Sequence, residues 1–92
     1  MIRFAKTDGK KIEFKLHAPR AKSVGVAGSF NAWDATKTPL RSDNGGDWRA
    51  TLALAPGRHE YRFVVDGHWV TDPAAEETAP NPFGGRNSVR VV

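Results

Sequence analysis

A tryptophan and an arginine within residues 57–73 are the side chains of this chain best suited to ligand chemistry. Tyr61 and Phe63 alternate with Arg62, so the aromatic pair is predicted to face the core and Arg62 to face outward. Trp69 is predicted on the outer face too, diagonal to Arg62. Together they offer a flat apolar platform with hydrogen-bond donors beside it. A large aromatic side chain that is exposed beside a cation is uncommon on a protein surface and often marks an interaction site, so this pair predicts a binding surface.

The hairpin that positions this pair is predicted from its turn. Asp66 and Gly67 form one of the strongest short hairpin signals, because both central residues of a type I′ turn need a positive φ. A two-residue turn pairs Val64 with Trp69. Trp69 therefore shares a face with Val64 and Arg62, opposite the predicted core face.

Alternating residues predict further short strands, and no stretch predicts an amphipathic helix. Strands are expected over residues 2–5, 11–17, 23–27, 48–54 and 88–92, in addition to the hairpin. Residues 71–82 contain three prolines and are expected to be a loop with at most one helical turn. Gly25 is expected where backbones pass closely, and Val89 and Val91 are in phase on the last strand. About six or seven short strands indicate an all-β, antiparallel β-sandwich.

Composition narrows the class of protein. The chain has 92 residues, which predicts one domain over residues 1–92. It has no cysteine, and its formal net charge of +4 comes from scattered basic residues, as on a solvated surface. The start of the chain lacks the apolar run of a signal peptide, and no stretch is long enough to span a membrane. We therefore expect a cytoplasmic location and no membrane partner.

Catalytic and metal sites are not expected. The carboxylates fall mostly in predicted loops, and nothing pairs two of them across one bond, as glycoside hydrolysis requires. His17, His59 and His68 lack metal-ligand spacing. No phosphate loop or nucleophile elbow is present in the sequence. The sequence therefore predicts neither an enzyme nor a bound cofactor.

The tryptophans have different predicted roles. Trp48 is in phase with Leu52 and Leu54, which predicts a place in the core or at a sheet edge. Trp69 is out of phase with the core residues of its hairpin. Trp33 follows Gly28 in the run GSFNAW, where no periodicity places it.

Three motifs together resemble a known family. They are GSFNAW at residues 28–33, EYRFVVDGHW at 60–69 and Asp72-Pro73. The chain resembles, from about residue 11 to 92, the family 48 carbohydrate-binding modules of the isoamylase N-terminal type. It is also similar to the glycogen-binding domain of the AMP-activated protein kinase β subunit. The resemblance implies an early-set, immunoglobulin-like β-sandwich that binds α-1,4-linked glucans without catalysis.

The resemblance also implies a set of carbohydrate-binding residues, which are Trp33, Arg62, Trp69, Phe83 and Asn87. The two tryptophans match those that stack on glucose rings, and Asn87 matches an asparagine that hydrogen-bonds the sugar. Arg62 stands where the family usually has lysine, with a different reach. Phe83 replaces a leucine that projects into the curve of the glucan. Gly85 replaces a threonine, so any contact from that side chain is lost.

Alternative functions stay open on the sequence. The expected ligand is glycogen, starch or a malto-oligosaccharide, with a glucan-active enzyme or kinase complex as a protein partner. One alternative is a structural or regulatory docking domain of the same fold with a vestigial sugar site. The other is a single-stranded nucleic-acid binder, because a basic sheet face with aromatics can stack bases. The scattered basic residues and Asn87 favour the glucan, so no nucleic-acid partner is expected.

Overall fold

Two antiparallel sheets make up the computed structural model, which describes residues 9–92. The expected strand at residues 2–5 lies outside this range. The strands are β1 (Lys10–His17), β2 (Val24–Gly28), β3 (Arg41–Ser42), β4 (Asp47–Leu54), β5 (Arg58–Val65), β6 (His68–Val70), β7 (Glu77–Pro80) and β8 (Arg86–Val91). A single 3₁₀ turn at Ala35–Lys37 is the helical element of the described part. That residues 1–92 form one domain stays a prediction.

The sheets differ in size and enclose one core. The smaller has the strand order β1-β4-β3, and the larger has the order β2-β5-β8-β7, with β6 also pairing with β5. Core side chains come from both sheets, as when Phe14 of β1 packs edge-on against Tyr61 of β5 with ring centroids 4.9 Å apart. This architecture confirms the predicted all-β, antiparallel, immunoglobulin-like β-sandwich.

The hairpin forms as its turn chemistry predicts. Val64 pairs with Trp69, and the turn residues Asp66 and Gly67 have φ angles of 48° and 85°. Tyr61 is buried, so the core face of β5 is the predicted one. The predicted register, which determines where the exposed indole lies, is confirmed.

A backbone contact accounts for Gly25 on β2. A Cβ atom at this position would lie 2.7 Å from the carbonyl oxygen of Ala35, closer than van der Waals radii allow. Gly25 therefore lets the 3₁₀ turn pack directly on β2, which confirms the predicted close approach.

Residues 71–82 contain the strand β7, so the prediction of a loop was wrong for Glu77–Pro80. β7 pairs with β8 at the edge of the larger sheet, and Pro80 occupies its last position. An edge strand tolerates proline because one row of its N–H groups has no partner to donate to. Proline content alone therefore predicted a loop where pairing with β8 forms a strand.

Ser88 and the two valines of β8 lie on opposite faces of the larger sheet. Ser88 lies opposite Tyr61 and is fully buried, whereas Val89 lies opposite Glu60 on the outer side. Val89 is buried there, but Val91 is 67% exposed. The valines are in phase, but on the face away from the core.

Candidate functional site

A groove of about 550 Å³ on the outer side of the larger sheet brings the predicted site residues together. It is lined by Trp33, Arg62, Trp69, Asn81, Pro82, Phe83 and Asn87. All five residues expected from the sequence are in this lining, although β5, β6, β8 and two loops contribute them. Asn81 and Pro82 were not expected.

Arg62 occupies a junction in the larger sheet. One edge of β5 pairs with two strands in succession. It pairs with β8 up to Tyr61 and with β6 from Phe63 onward, so Arg62 lies where the partner strand changes. The Arg62 guanidinium donates from Nη2 to the carbonyl oxygen of Trp69 at 3.3 Å, and its buried Nε has no hydrogen-bond partner among the described residues. A Cβ atom at Gly85 would lie 3.5 Å from Nη1. The guanidinium thus lies between the Trp69 backbone and the Gly85 loop.

Trp69 is held on the outer face by the hairpin and is 47% exposed. The hairpin turn is also bonded to the residues just before β2, because Asp66 Oδ1 accepts hydrogen bonds from the backbone N–H groups of Lys22 and Ser23, both at 2.8 Å. These bonds favour the ionised carboxylate and lower the pKa of Asp66. The sequence placed Asp66 in the turn but gave no sign of this second role.

Trp33 stands on an unusual backbone. Ala32 and Trp33 have φ angles of 58° and 59°, in the left-handed region that costs a non-glycine residue roughly 1–2 kcal/mol. Asn31 holds this turn, since its Oδ1 accepts from the Gly28 N–H at 2.9 Å and its Nδ2 donates to the Val26 carbonyl at 2.9 Å. The strained turn keeps the Trp33 indole, 37% exposed, in the wall of the groove.

Asn81 organises the loop between β7 and β8, and sequence reasoning missed it. Its Oδ1 accepts hydrogen bonds from the backbone N–H groups of Phe83 at 2.9 Å and Gly85 at 3.0 Å. Such side-chain-to-backbone bonds are typical of asparagine in turns, so an asparagine shortly before Gly84-Gly85 was an available signal. The loop holds Phe83 out at 94% exposure.

Asn87 lies deeper in the groove, only 8% exposed, and is part of a hydrogen-bonded chain. Its Nδ2 donates to Glu60 Oε1 at 3.1 Å, and its Oδ1 accepts from Asn81 Nδ2 at 3.3 Å. Glu60 Oε2 accepts from Arg58 at 2.8 Å. Hydrogen bonds from Asn87 and Arg58 favour the ionised form of Glu60 and lower its pKa. Glu60, too, was not predicted as part of the site.

The chemistry of this lining suits a ligand that has both flat apolar faces and hydroxyl groups. Trp33, Trp69 and Phe83 supply apolar aromatic surface, and Asn87 and Arg62 supply hydrogen-bonding groups at its edge. These are the groups that stacking and hydrogen bonding to a ligand require.

Two further observations concern residues 9–92. They contain no cluster of three or more histidine, aspartate or glutamate side chains arranged to hold a metal ion. Among the same residues, no helix has the length and apolar character to cross a bilayer.

A β-sandwich that carries two exposed indoles and two asparagine carboxamides along one groove has the form of a carbohydrate-binding module. Comparison with known proteins confirms this class. The chain belongs to the family described as the glycogen recognition site of AMP-activated protein kinase, whose model matches residues 11–92. The family is a recognition domain, which agrees with the resemblance found in the sequence.

Curated relatives include kinase subunits and glucan enzymes. The chain is 49% identical to 5'-AMP-activated protein kinase subunit beta-2 of Homo sapiens over 69 residues, which are 74% of this chain and 24% of that protein. It is 34% identical to 1,4-alpha-glucan branching enzyme GlgB 2 of Xanthomonas oryzae pv. oryzae over 76 residues, covering 77% of this chain and 11% of the enzyme. The match thus spans about a quarter of the kinase subunit and a smaller part of the enzyme.

Proposed function

We propose that this chain binds α-1,4-linked glucans, such as glycogen, starch or malto-oligosaccharides, without catalysing their cleavage. The observation that carries the proposal is the single groove that contains Trp33, Arg62, Trp69, Phe83 and Asn87. Membership of a glycogen-recognition family supports it from an independent direction.

The proposed contacts follow from the structure of the sugar. A glucose ring has apolar faces of C–H groups and a rim of hydroxyls, so it is recognised by aromatic platforms with a few polar groups at their edge. Trp33 and Trp69 are the proposed platforms, Arg62 and Asn87 contact hydroxyls, and Phe83 packs against the chain of sugars. An open groove leaves much of the ligand hydrated, so we expect a dissociation constant on the order of micromolar to millimolar.

The proposed protein partner is a glucan-active enzyme or a kinase complex. The observation in its favour is that the relatives of this chain are kinase subunits and branching enzymes, in which the matching segment is a small fraction of the whole. In such a setting the domain brings a larger assembly to its polysaccharide. A docking role with a vestigial groove predicts the same partner but no binding of glucan.

Gel mobility is the direct test of glucan binding. Glycogen cast into a native gel should retard the protein, whereas a soluble β-linked glucan at equal concentration should not. Trp69→Ala is the matched variant, because it removes one proposed platform and leaves the sheet intact. Unchanged mobility in glycogen would contradict the proposal and favour the docking role.

The response of binding to salt should separate a glucan from a nucleic acid. A neutral glucan releases no condensed counterions, so its affinity should change by less than about threefold between roughly 50 and 200 mM salt. A single-stranded polynucleotide adds about 0.7 to the logarithmic salt slope for each neutralised phosphate, so about four contacts would cost about fiftyfold. Calorimetry at the two salt concentrations makes the measurement.

Arg62→Ala sharpens this prediction. The variant should lower affinity for a malto-oligosaccharide and leave the weak salt dependence unchanged, because Arg62 donates to hydroxyls. Arg41→Ala, an exposed cation on the smaller sheet, is the control and should leave affinity as it is. A steep salt slope with single-stranded DNA that Arg62→Ala flattens would overturn the glucan reading.

A further inference from the structure

We propose that Glu60 and Asn81 are positioning residues that fix which end of the Asn87 carboxamide meets each group of the bound sugar. The inference rests on the proposed glucan binding and assigns to it two residues outside the expected set. It is based on a continuous chain of hydrogen bonds from the Asn81 loop through Asn87 on β8 to Glu60 on β5. Glu60 at one end and Asn81 at the other each determine the direction of these hydrogen bonds, and the two agree.

Glu60 is the first anchor. An ionised carboxylate can only accept hydrogen bonds, so the Asn87 atom that faces Glu60 Oε1 at 3.1 Å must be the donor Nδ2. The opposite orientation would bring the Asn87 oxygen against a negative oxygen. Arg58 donates to the other carboxylate oxygen at 2.8 Å and keeps Glu60 charged, while Glu77 on β7 lies 3.6 Å from the same guanidinium.

Asn81 is the second anchor. Its oxygen accepts from the backbone N–H groups of Phe83 and Gly85, which fixes the orientation of its own carboxamide. The atom left to face Asn87 is Nδ2, a donor, and it lies 3.3 Å from Asn87 Oδ1. Asn81 therefore requires the Asn87 oxygen at its own end of the carboxamide, and Glu60 requires the Asn87 nitrogen at the other end. One orientation of Asn87 meets both demands.

The consequence concerns the atoms that Asn87 keeps for a ligand. One N–H of Nδ2 and one lone pair of Oδ1 are used within the protein, so one donor and one acceptor remain. Rotation of the Asn87 carboxamide would place its oxygen against Glu60 and its nitrogen against the Asn81 nitrogen. Because Asn87 is nearly buried, water could not compensate for these two unfavourable contacts. The hydrogen bonds to Glu60 and Asn81 therefore set the order of donor and acceptor that Asn87 offers to sugar hydroxyls.

Variants that reverse the direction of these hydrogen bonds test the positioning role. Asn81→Asp keeps the acceptor for both backbone N–H groups but turns a second oxygen toward Asn87 Oδ1. Adding Glu60→Gln supplies a donor at the other end, so that a flipped Asn87 is satisfied at both ends. We expect Asn81→Asp to lose stability and at least about tenfold in affinity for maltoheptaose, because it leaves a buried polar pair unmatched.

The double variant separates positioning from structure. Asn81→Asp with Glu60→Gln should recover the melting temperature lost by Asn81→Asp alone, but its affinity should stay about tenfold below that of the unmodified chain. Recovery of full affinity together with stability would overturn the proposal, because a flipped carboxamide would then bind equally well. Unchanged affinity in Asn81→Asp alone would also overturn it.

Variants at Glu60 keep the test decisive if Asn81→Asp unfolds. Glu60→Gln alone retains an oxygen acceptor for Asn87, and Arg58 is exposed enough to turn to solvent, so most of the affinity should remain. Glu60→Leu removes the acceptor and should lose about tenfold. Equal affinity in Glu60→Gln and Glu60→Leu would overturn the positioning role alone. Failure of the unmodified chain to bind maltoheptaose would overturn the proposed function and this role with it.

Discussion

Replacing Trp69 with alanine is expected to lower the affinity for a malto-oligosaccharide by roughly 1–3 kcal/mol, with little change in the free energy of unfolding. The indole is 47% exposed and lines the groove, so its loss removes a ligand contact and little core packing. Trp33→Ala should have an effect of similar size. Alanine also carries a Cβ, so this replacement leaves the left-handed backbone at position 33 as strained as before. Titration calorimetry on each variant measures the change.

Trp48 provides the matched control. Its ring is half-buried against the core, and its Nε1 donates to the Ala18 carbonyl at 2.9 Å, on the smaller sheet and outside the groove. Trp48→Ala should lower the stability of the fold and leave the affinity of the remaining folded protein unchanged. Full affinity in both groove variants, or loss of binding in a Trp48→Ala chain that melts normally, would contradict the proposed roles.

The largest effect on stability is expected from Phe14→Ala, which should reduce the free energy of unfolding by about 3–5 kcal/mol. Phe14 on β1 is 1% exposed. Between ring centroids it lies 4.9 Å from Tyr61 of the larger sheet and 5.5 Å from Phe30 in the loop after β2. We expect removal of its ring to leave a cavity that these neighbours fill only in part. Denaturant unfolding followed by circular dichroism gives the value.

Phe83→Ala is the control for this measurement, because it removes the same ring from a 94% exposed position. Its free energy of unfolding should stay close to that of the unmodified chain. A loss below about 1 kcal/mol in Phe14→Ala would mean that the core relaxes around the missing ring. A comparable loss in both variants would show that the ring of Phe83 packs against the protein.

Local chemistry made the hairpin predictable. The requirement for positive φ at Asp66 and Gly67 placed the turn, and the turn determined that Trp69 pairs with Val64. Alternation along β5 then indicated that Tyr61 and Phe63 reach the core, where both are buried. These signals act over a few residues, so one sequence is enough to read them.

Features that depend on distant parts of the chain were not predictable in this way. β7 is a strand because β8 lies beside it, and Val89 faces outward because Ser88 pairs with Tyr61. Trp33 and Phe83 lie in loops without periodicity, so only the resemblance to a family placed them in the groove. Nothing in the sequence placed Glu60 opposite Asn87, because that contact depends on the register between β5 and β8.

The separation of the tryptophans between the two sheets has an optical consequence. Trp33 and Trp69 face the groove, whereas Trp48 lies on β4 with its N–H committed to a backbone carbonyl. A sugar that covers the groove should therefore change the emission of two indoles and leave the third as a constant background. A chain with Trp48→Phe would report ligand binding against a darker baseline. A chain that keeps Trp48 as its single indole would report unfolding alone.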